Sequence, residues 1–213
     1  MRKQSETAYR LIKNRILDGT YKPTQKLVES QLAEEIGVSR NTVKKALLML
    51  ERENLVEIED NKGATIKSFT LEEIVNYLEI REALEAVVAR KAAQHITAAN
   101  IRRLEKILAE MRAHLEQNQF EEYSAKNREF HSIIYDASTN RQAVELINII
   151  KTQLNRYQFR TILVPGRNRE SYLEHERILE ALKSRDPDRI EEAVRQHITS
   201  VRRVIEENYQ ILI

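Results

Sequence analysis

The sequence predicts a mainly α protein: a small N-terminal unit of short helices with a two-stranded hairpin, then a C-terminal bundle of about six helices. Three observations carry this. Only 4 glycines and 3 prolines occur in 213 residues and 32% of residues are charged, a composition that favours helices in water. Beyond residue 70, apolar residues recur every three or four positions and no alternating run of any length appears. Before it, two short helical faces meet at Gly37, and two β-type runs flank a turn at Asn61–Gly63. The length suits two domains, read as residues 1–69 and 70–213.

Composition also bounds function. The net charge is only +2, so any nucleic-acid footprint must be local. Residues 1–70 carry 13 Lys and Arg against 10 Asp and Glu; the rest carries 22 against 23. All five histidines fall in the second part. There is no cysteine, which excludes a disulfide framework and a thiolate metal site. No apolar run is long enough to span a membrane, and "MRKQSETAYRL" lacks the apolar core of a secretory signal. The expected location is cytoplasmic.

In the N-terminal part, Ala8, Leu11, Ile12, Arg15 and Ile16 space out as one amphipathic helix, ended by Gly19 and Pro23 in "DGTYKP". Leu32, Ala33 and Ile36 form a second apolar face. Gly37 supplies the turn, and Ser39 can cap a third helix whose inner face is Val43, Ala46, Leu47 and Leu50. Two helices joined by a tight turn form a helix-turn-helix, and the hairpin "LVEIEDNKGATIKSF" adds a wing. The outward arc of the third helix carries Asn41, Thr42, Lys44 and Lys45, with Arg40 at its edge. These are phosphate- and base-edge groups near a helix N-terminus, the end of a recognition helix that enters the major groove.

The stretch "DGTYKPTQKLVESQLAEEIGVSRNTVKKALLMLERENLVEIEDNKGATI" resembles the winged helix-turn-helix of the GntR family of bacterial transcription regulators. It keeps "GVSRNTV", "KKALLML" and Gly63. It departs from the family at Thr24, where Gly is usual, and at Asn54, where Gly often precedes the leucine. Lys44 replaces the usual Arg, giving a point donor in place of a planar fork. The resemblance implies double-stranded operator DNA as partner, contacted from Ser30, Ser39, Arg40, Asn41, Thr42, Lys44 and a wing around Lys62 and Gly63. A single recognition helix covers few base pairs, so a homodimer on a palindrome-like site is expected.

In the C-terminal part, "TLEE" at 70–73 has the form of a capping box and marks a new domain. Helices are expected near 71–95, 98–117, 119–137, 141–160, 168–185 and 187–209. The last opens with Asp186 as cap and Pro187 at the first helical position, and the main breaks are "STN" at 138–140 and "LVPGRN" at 163–168. Three of these helices set an imidazole into the side they bury. His175 stands in the stripe of Ile178, Leu179 and Leu182. His197 stands in that of Ile190, Val194, Val201 and Val204. Asn127 lies among Tyr123, Phe130, Ile134 and Ala137, with His131 on the flank. His114 and His95 fall outside these stripes. Buried imidazoles need partners. Separate hydrogen bonds can supply them, and so can one shared cation, since neutral imidazole is a common metal ligand. Arg81 also falls in an apolar stripe, with Tyr77, Leu84 and Val88. Its anionic partner is either Glu85 one turn on or a bound carboxylate.

"NREFH", "HERILEALKSRDPDRIEEAVRQH" and "EIREALEAVVARKAA" resemble the FCD-type ligand domain of the FadR-like branch of the same family. That likeness implies a divalent metal held by His131, His175 and His197, with Asn127 where a carboxylate is usual. Zinc is the first choice, with nickel or manganese as alternatives. It also implies a small organic acid effector that completes the metal's shell and meets Arg81. The rival readings are a metal-dependent hydrolase and a purely structural metal. Against enzymes, the glycines at 19, 37, 63 and 166 allow no GxxxxGK loop, HExxH is absent, and no histidine has Glu three residues before it.

Overall fold

A computed structural model describes residues 2–59, 63–162 and 164–212, with side chains described for these except at 2, 3, 156, 158–160 and 211. It separates into two compact units, Met1–Thr70 with Thr152–Arg156, and Leu71–Lys151 with Tyr157–Ile213.

The first unit holds α1 (Arg2–Leu17), β1 (Lys26–Leu27), α2 (Glu29–Ile36), α3 (Arg40–Arg52), β2 (Val56–Glu59) and β3 (Gly63–Ile66). Its core is mainly apolar, with Ser5 and Thr42 buried beside it. Ala8, Ile12 and Ile16 of α1 pack with Leu32 of α2, with Val43, Ala46, Leu47 and Leu50 of α3, and with Ala64 and Ile66 of β3. The turn after α2 forms because Gly37 takes φ 73°, a left-handed conformation that costs glycine little. Ser39 caps α3 by accepting from the Thr42 N–H at 3.2 Å. The far end of α3 closes with Asn54 at φ 60°. The Asn54 N–H donates to the Glu51 carbonyl at 2.8 Å and the Leu55 N–H to the Leu50 carbonyl at 3.0 Å. This is the paired closure that a left-handed residue after a helix allows, and asparagine tolerates that conformation. Lys13 of α1 ties this end down through Glu53 at 2.6 Å, and the Tyr9 hydroxyl donates to the same carboxylate.

The strands order as β1-β3-β2, all antiparallel, with Leu27 opposite Ala64 and Glu57 opposite Thr65. Strand β1 was not foreseen, because two residues are too short to display an alternating pattern. Gly63 sits where a Cβ would meet the Leu27 carbonyl at 3.1 Å, so a side chain there would crowd the β1–β3 pairing. The expected wing turn at Asn61–Gly63 begins outside the described residues.

The second unit holds α4 (Leu71–His95), α5 (Ala98–Glu116), α6 (Phe120–Ala137), α7 (Arg141–Thr161), α8 (Arg167–Ser184) and α9 (Pro187–Leu212), with no strand among the described residues. These six helices fall within three residues of the expected ends. Thr97 and Asn100 cap α5 reciprocally. Asp186 caps α9 by accepting from the Asp188 and Arg189 N–H groups at 2.9 and 3.3 Å. One apolar core runs from Ala89, Ala92 and Ile96 through Leu104 and Met111 to Phe130, Ile178, Leu182, Ile190 and Val194. A second, smaller cluster of Val88, Tyr135, Ala143 and Ile147 joins α4, α6 and α7.

Candidate functional site

Between these clusters lies a polar centre. His131 of α6, His175 of α8 and His197 of α9 are all buried, at 3%, 0% and 3% exposure. Each offers a ring nitrogen within 4.8 Å of the others. Phe130 packs edge-on to His175 at 5.0 Å between ring centroids and seals one side. Asn127, half-buried one turn before His131, brings its Oδ1 to 2.8 Å from His175 Nε2. The four residues expected to share a site therefore do share one. His95 is exposed at the end of α4, and His114 instead meets Gln119 at 2.7 Å.

The outer nitrogens fix which way the rings face. His175 Nδ1 lies 2.5 Å from the Ser171 carbonyl, so Nδ1 carries the proton and Nε2 carries a lone pair. His197 Nδ1 lies 2.7 Å from Glu174 Oε2, with the same consequence. His131 Nδ1 turns toward Glu85 Oε2 at 3.8 Å. Both carboxylates are themselves held. Arg167 grips Glu174 with two bonds of 2.9 and 2.8 Å, and Arg81 donates to Glu85 at 2.6 Å. Imidazoles backed by a carboxylate or carbonyl on the far nitrogen are the usual supporting arrangement of metal-ligating histidines.

The inner face is a convergence of acceptors. His175 Nε2 stands 2.8 Å from the Asn127 oxygen and 3.2 Å from His131 Nε2. Without an ion, the Asn127 amide must turn its NH₂ inward, yet the single lone pair of His175 can satisfy only one of its two neighbours. Protonation is opposed by the surroundings. Burial, then the neighbouring His197, lowers His175 to about 3. Burial first, then the Lys151 and His175 charges, lowers His131 well below the ordinary histidine value. Burial also lowers His197, although Glu174 pulls it the other way. Burial would raise Glu174, but its bonds to His197 and Arg167 prevail and hold it at about 2. Three neutral imidazoles and an amide oxygen, facing inward, fit a divalent cation.

Arg81 has the buried partner Glu85, so the nearer of its two expected partners is realised. Sequence reasoning missed Glu174, Arg167, Ser171 and Lys151. The first three share the buried stripe of α8 with His175, at positions 167, 171 and 174. Their helical spacing was a signal, obscured because only apolar residues were used to trace the stripe.

In the first unit, Arg40, Asn41, Lys44 and Lys45 are exposed on one side of α3, Ser39 is exposed at its cap, and Ser30 is partly exposed on α2. Thr42 corrects the expected outward arc. It is buried at 8% exposure, and its hydroxyl lies 2.8 Å from that of Ser39. Lys62 falls outside the described residues. No helix among the described residues is long and apolar enough to cross a membrane.

Residues 4–66 match the bacterial regulatory proteins of the gntR family, and residues 76–200 match the FCD domain. The chain belongs to the GntR family. It is a DNA-binding transcriptional regulator with a C-terminal FCD domain, not an enzyme. It is 26% identical over 208 residues to the HTH-type transcriptional repressor RspR of Escherichia coli, covering 96% of this chain and 91% of that one. It is 31% identical to the HTH-type transcriptional regulator LutR of Bacillus subtilis, covering 92% of this chain and all of that one. The gluconate operon transcriptional repressor of Bacillus licheniformis is 25% identical, with 92% and 82% covered. Among solved structures, E. coli McbR/YncC shares the fold, with a TM-score of 0.76 at 22% identity over 98% of this chain and 96% of that one.

Proposed function

We propose that this GntR-family regulator binds a divalent cation at Asn127, His131, His175 and His197, and that a small carboxylate bound there controls its affinity for operator DNA. The observation that carries the reading is the convergence of three outward-backed imidazoles and an amide oxygen on one point. A divalent ion held by neutral ligands keeps its full charge and can accept a carboxylate as a further ligand. Arg81, on the same side as Glu85 and His131, adds positive charge for that acid. A relative named for a gluconate operon is in keeping with a hydroxy acid as effector. Regulation then requires the acid to bind two arrangements of the protein unequally.

The DNA-facing set is Ser30, Ser39, Arg40, Asn41, Lys44 and the wing at Lys62 and Gly63, with Thr42 supporting Ser39 from within. We assign the active species as a homodimer. Ile80 and Val87, two turns apart on α4, are 52% and 43% exposed, and Leu146 and Ile149 on the adjoining α7 are 51% and 47% exposed. These four offer an apolar face for a second copy.

The test is direct. Purified protein, stripped with chelator, is titrated with zinc, nickel and manganese. At a hundredfold excess over its dissociation constant, the preferred ion should stabilise the parent by about 2.7 kcal/mol, and His175→Ala and His197→Ala should show no such gain. Asn127→Asp should tighten the ion by adding a negative charge. Arg40→Ala and Lys44→Ala should weaken operator binding, and loss of a phosphate contact should also flatten its salt dependence. If no ion raises the melting temperature of the parent and the histidine variants are as stable as the parent, the cluster is an ordinary hydrogen-bonded core. A monomer in sedimentation that binds operator at full affinity would refute the dimer.

A further inference from the structure

We infer that Lys26, on the edge strand β1, binds a DNA phosphate beside the wing, so that β1 is a third DNA-facing element next to α3 and the hairpin. The inference rests on the DNA interface proposed above and adds to it a residue that reads no base.

The strand pairing sets where Lys26 stands. Lys26 lies opposite Thr65 and Leu27 opposite Ala64. Leu27 and Ala64 are buried, whereas Lys26 is exposed. Successive strand residues face opposite sides of a sheet, so Lys26 shares the outer face with Thr65 and Gly63. Its Cε stands 4.0 Å from the point that a Cβ on Gly63 would occupy. The side chain therefore runs diagonally across β3 toward the wing glycine, over space that the absent side chain leaves open. The ammonium is one bond farther on. Ser30, near the start of α2, follows four residues later, at most about 14 Å along the chain. Lys26 thus neighbours two of the positions proposed to meet DNA, Gly63 and Ser30.

The surrounding charge gives the cation a role. On the same outer face β2 carries Glu57, opposite Thr65, and Glu59, opposite Gly63, both exposed. Two carboxylates beside a wing repel the backbone of a duplex, and a neighbouring cation offsets part of that repulsion. Strand β3 separates Lys26 from Glu57 by two strand spacings, about 10 Å between backbones. No carboxylate among the described residues pairs with Lys26, which leaves its ammonium for an anion from outside. Lysine is a point donor on a long flexible stem, suited to a phosphate oxygen more than to the fixed edge pattern of a base pair.

A phosphate contact is recognised by its salt dependence. The parent first selects a tight duplex from a random library. That duplex and a scrambled one of equal composition are then titrated by fluorescence anisotropy between about 50 and 200 mM salt. Lys26→Gln removes the charge and keeps the length. It should flatten the slope of log affinity against log salt by about 0.9 per chain, or about 1.8 in a dimer. The advantage of the parent over this variant should then grow about twelvefold as salt falls from about 200 to about 50 mM. Both duplexes should show the effect equally, since the contact carries no sequence information. Lys26→Arg should restore the slope, and Lys26→Gln should melt at the parent's temperature. Lys91→Gln, at an exposed position of α4, lowers the net charge by the same amount and should leave the slope as it was. A Lys26→Gln variant with the parent's slope, or with a change that Lys91→Gln matches, overturns the assignment. A loss confined to the selected duplex would make Lys26 a base reader and overturns it too. Arg40→Ala separates this contact from the interface as a whole. If Arg40→Ala binds the selected duplex like the parent, the proposed groove interface falls; a weakened Arg40→Ala beside an unchanged Lys26→Gln refutes Lys26 alone.

Discussion

The two units bury different things. The N-terminal unit closes on a mainly apolar core of Ala, Ile, Leu, Val and Tyr, with no buried charge among its described residues, and the side chains proposed to meet DNA, Arg40, Asn41 and Lys44, stand outside. The C-terminal unit places His131, His175, His197, Arg81, Glu85, Arg167 and Glu174 inside, each at 5% exposure or less. The contrast follows from the ligands. DNA is met across a surface, where side chains can be chosen without regard to packing. The small acid and ion proposed for the second unit must be enclosed to be recognised, so the residues proposed to bind them are also residues that hold the fold. In the first unit function and stability are separable; in the second they are coupled.

The largest expected effect exploits that coupling. Glu174→Ala should destabilise the protein by about 3–5 kcal/mol, because it strands the buried Arg167 guanidinium and removes the acceptor of His197. The matching change in the other unit, Glu35→Ala, breaks an exposed pair with Arg15 and should cost at most about 1 kcal/mol. Urea unfolding of the two variants measures the difference. Equal costs would dissolve the contrast between the units.

Acid sensitivity should sort the same way, since all five histidines lie beyond residue 70. The folded protein holds His175 at about 3, against 6.5 for an ordinary histidine, and lowers His131 and His197 as well. Below about pH 6.5 the unfolded chain takes up protons that the folded chain refuses, so stability falls with pH. The slope is about 1.4 kcal/mol per pH unit for each such proton. Below about pH 4.5 Glu174 adds to the loss in the same direction, down to its folded value of about 2. In chelator, unfolding free energy should drop steeply from pH 7 to pH 5, and His175→Gln should flatten that drop. A parent whose stability is level over this range would show that the imidazoles are not held neutral.

How far the sequence disclosed these two units also differs. The six C-terminal helices and the four cluster residues follow from one rule, the 3.6-residue spacing of buried positions, and long helices give that rule many repeats. The support behind the rings was hidden by the same rule, because Arg167, Ser171 and Glu174 are polar residues in a buried stripe. Lys151 was hidden because its partners come from other helices, and no spacing within α7 points to α4 or α6. In the first unit the short elements gave less to work with. Strand β1 has two residues, and Thr42, one position from exposed Asn41, was assigned to the wrong side of α3 by an angle of one residue.

Thr42 leads to a smaller prediction. Because its N–H bonds the Ser39 oxygen at 3.2 Å, Ser39→Ala should cost about 1 kcal/mol in stability. It should also weaken DNA binding if the N-terminus of α3 enters the groove. A variant with normal operator affinity and the expected loss of stability would confine Ser39 to capping.

The smallest effect should have the opposite sign. The Gln25 N–H donates to the Lys22 carbonyl at 3.1 Å, closing a four-residue turn with Pro23 second and Thr24 third. Thr24 takes φ 62°, the left-handed value that distinguishes the third position of a type II turn from that of a type I turn. A β-branched residue is strained there, by about 1–2 kcal/mol in left-handed backbone. Glycine, usual at this position in the family that the chain resembles, relieves the strain but frees the unfolded chain, which costs about 0.5–1 kcal/mol. It also forfeits the 2.6 Å bond from the Thr24 hydroxyl to the Pro23 carbonyl, an exposed contact of little worth. Thr24→Gly should therefore stabilise the protein by less than about 1 kcal/mol, with operator and metal binding unchanged. The turn leads into β1 through the Thr24 N–H, which donates to the Ile66 carbonyl of β3 at 2.9 Å. Loss of stability in Thr24→Gly would mean that the stiffness of threonine at the start of β1 outweighs the strain of its φ.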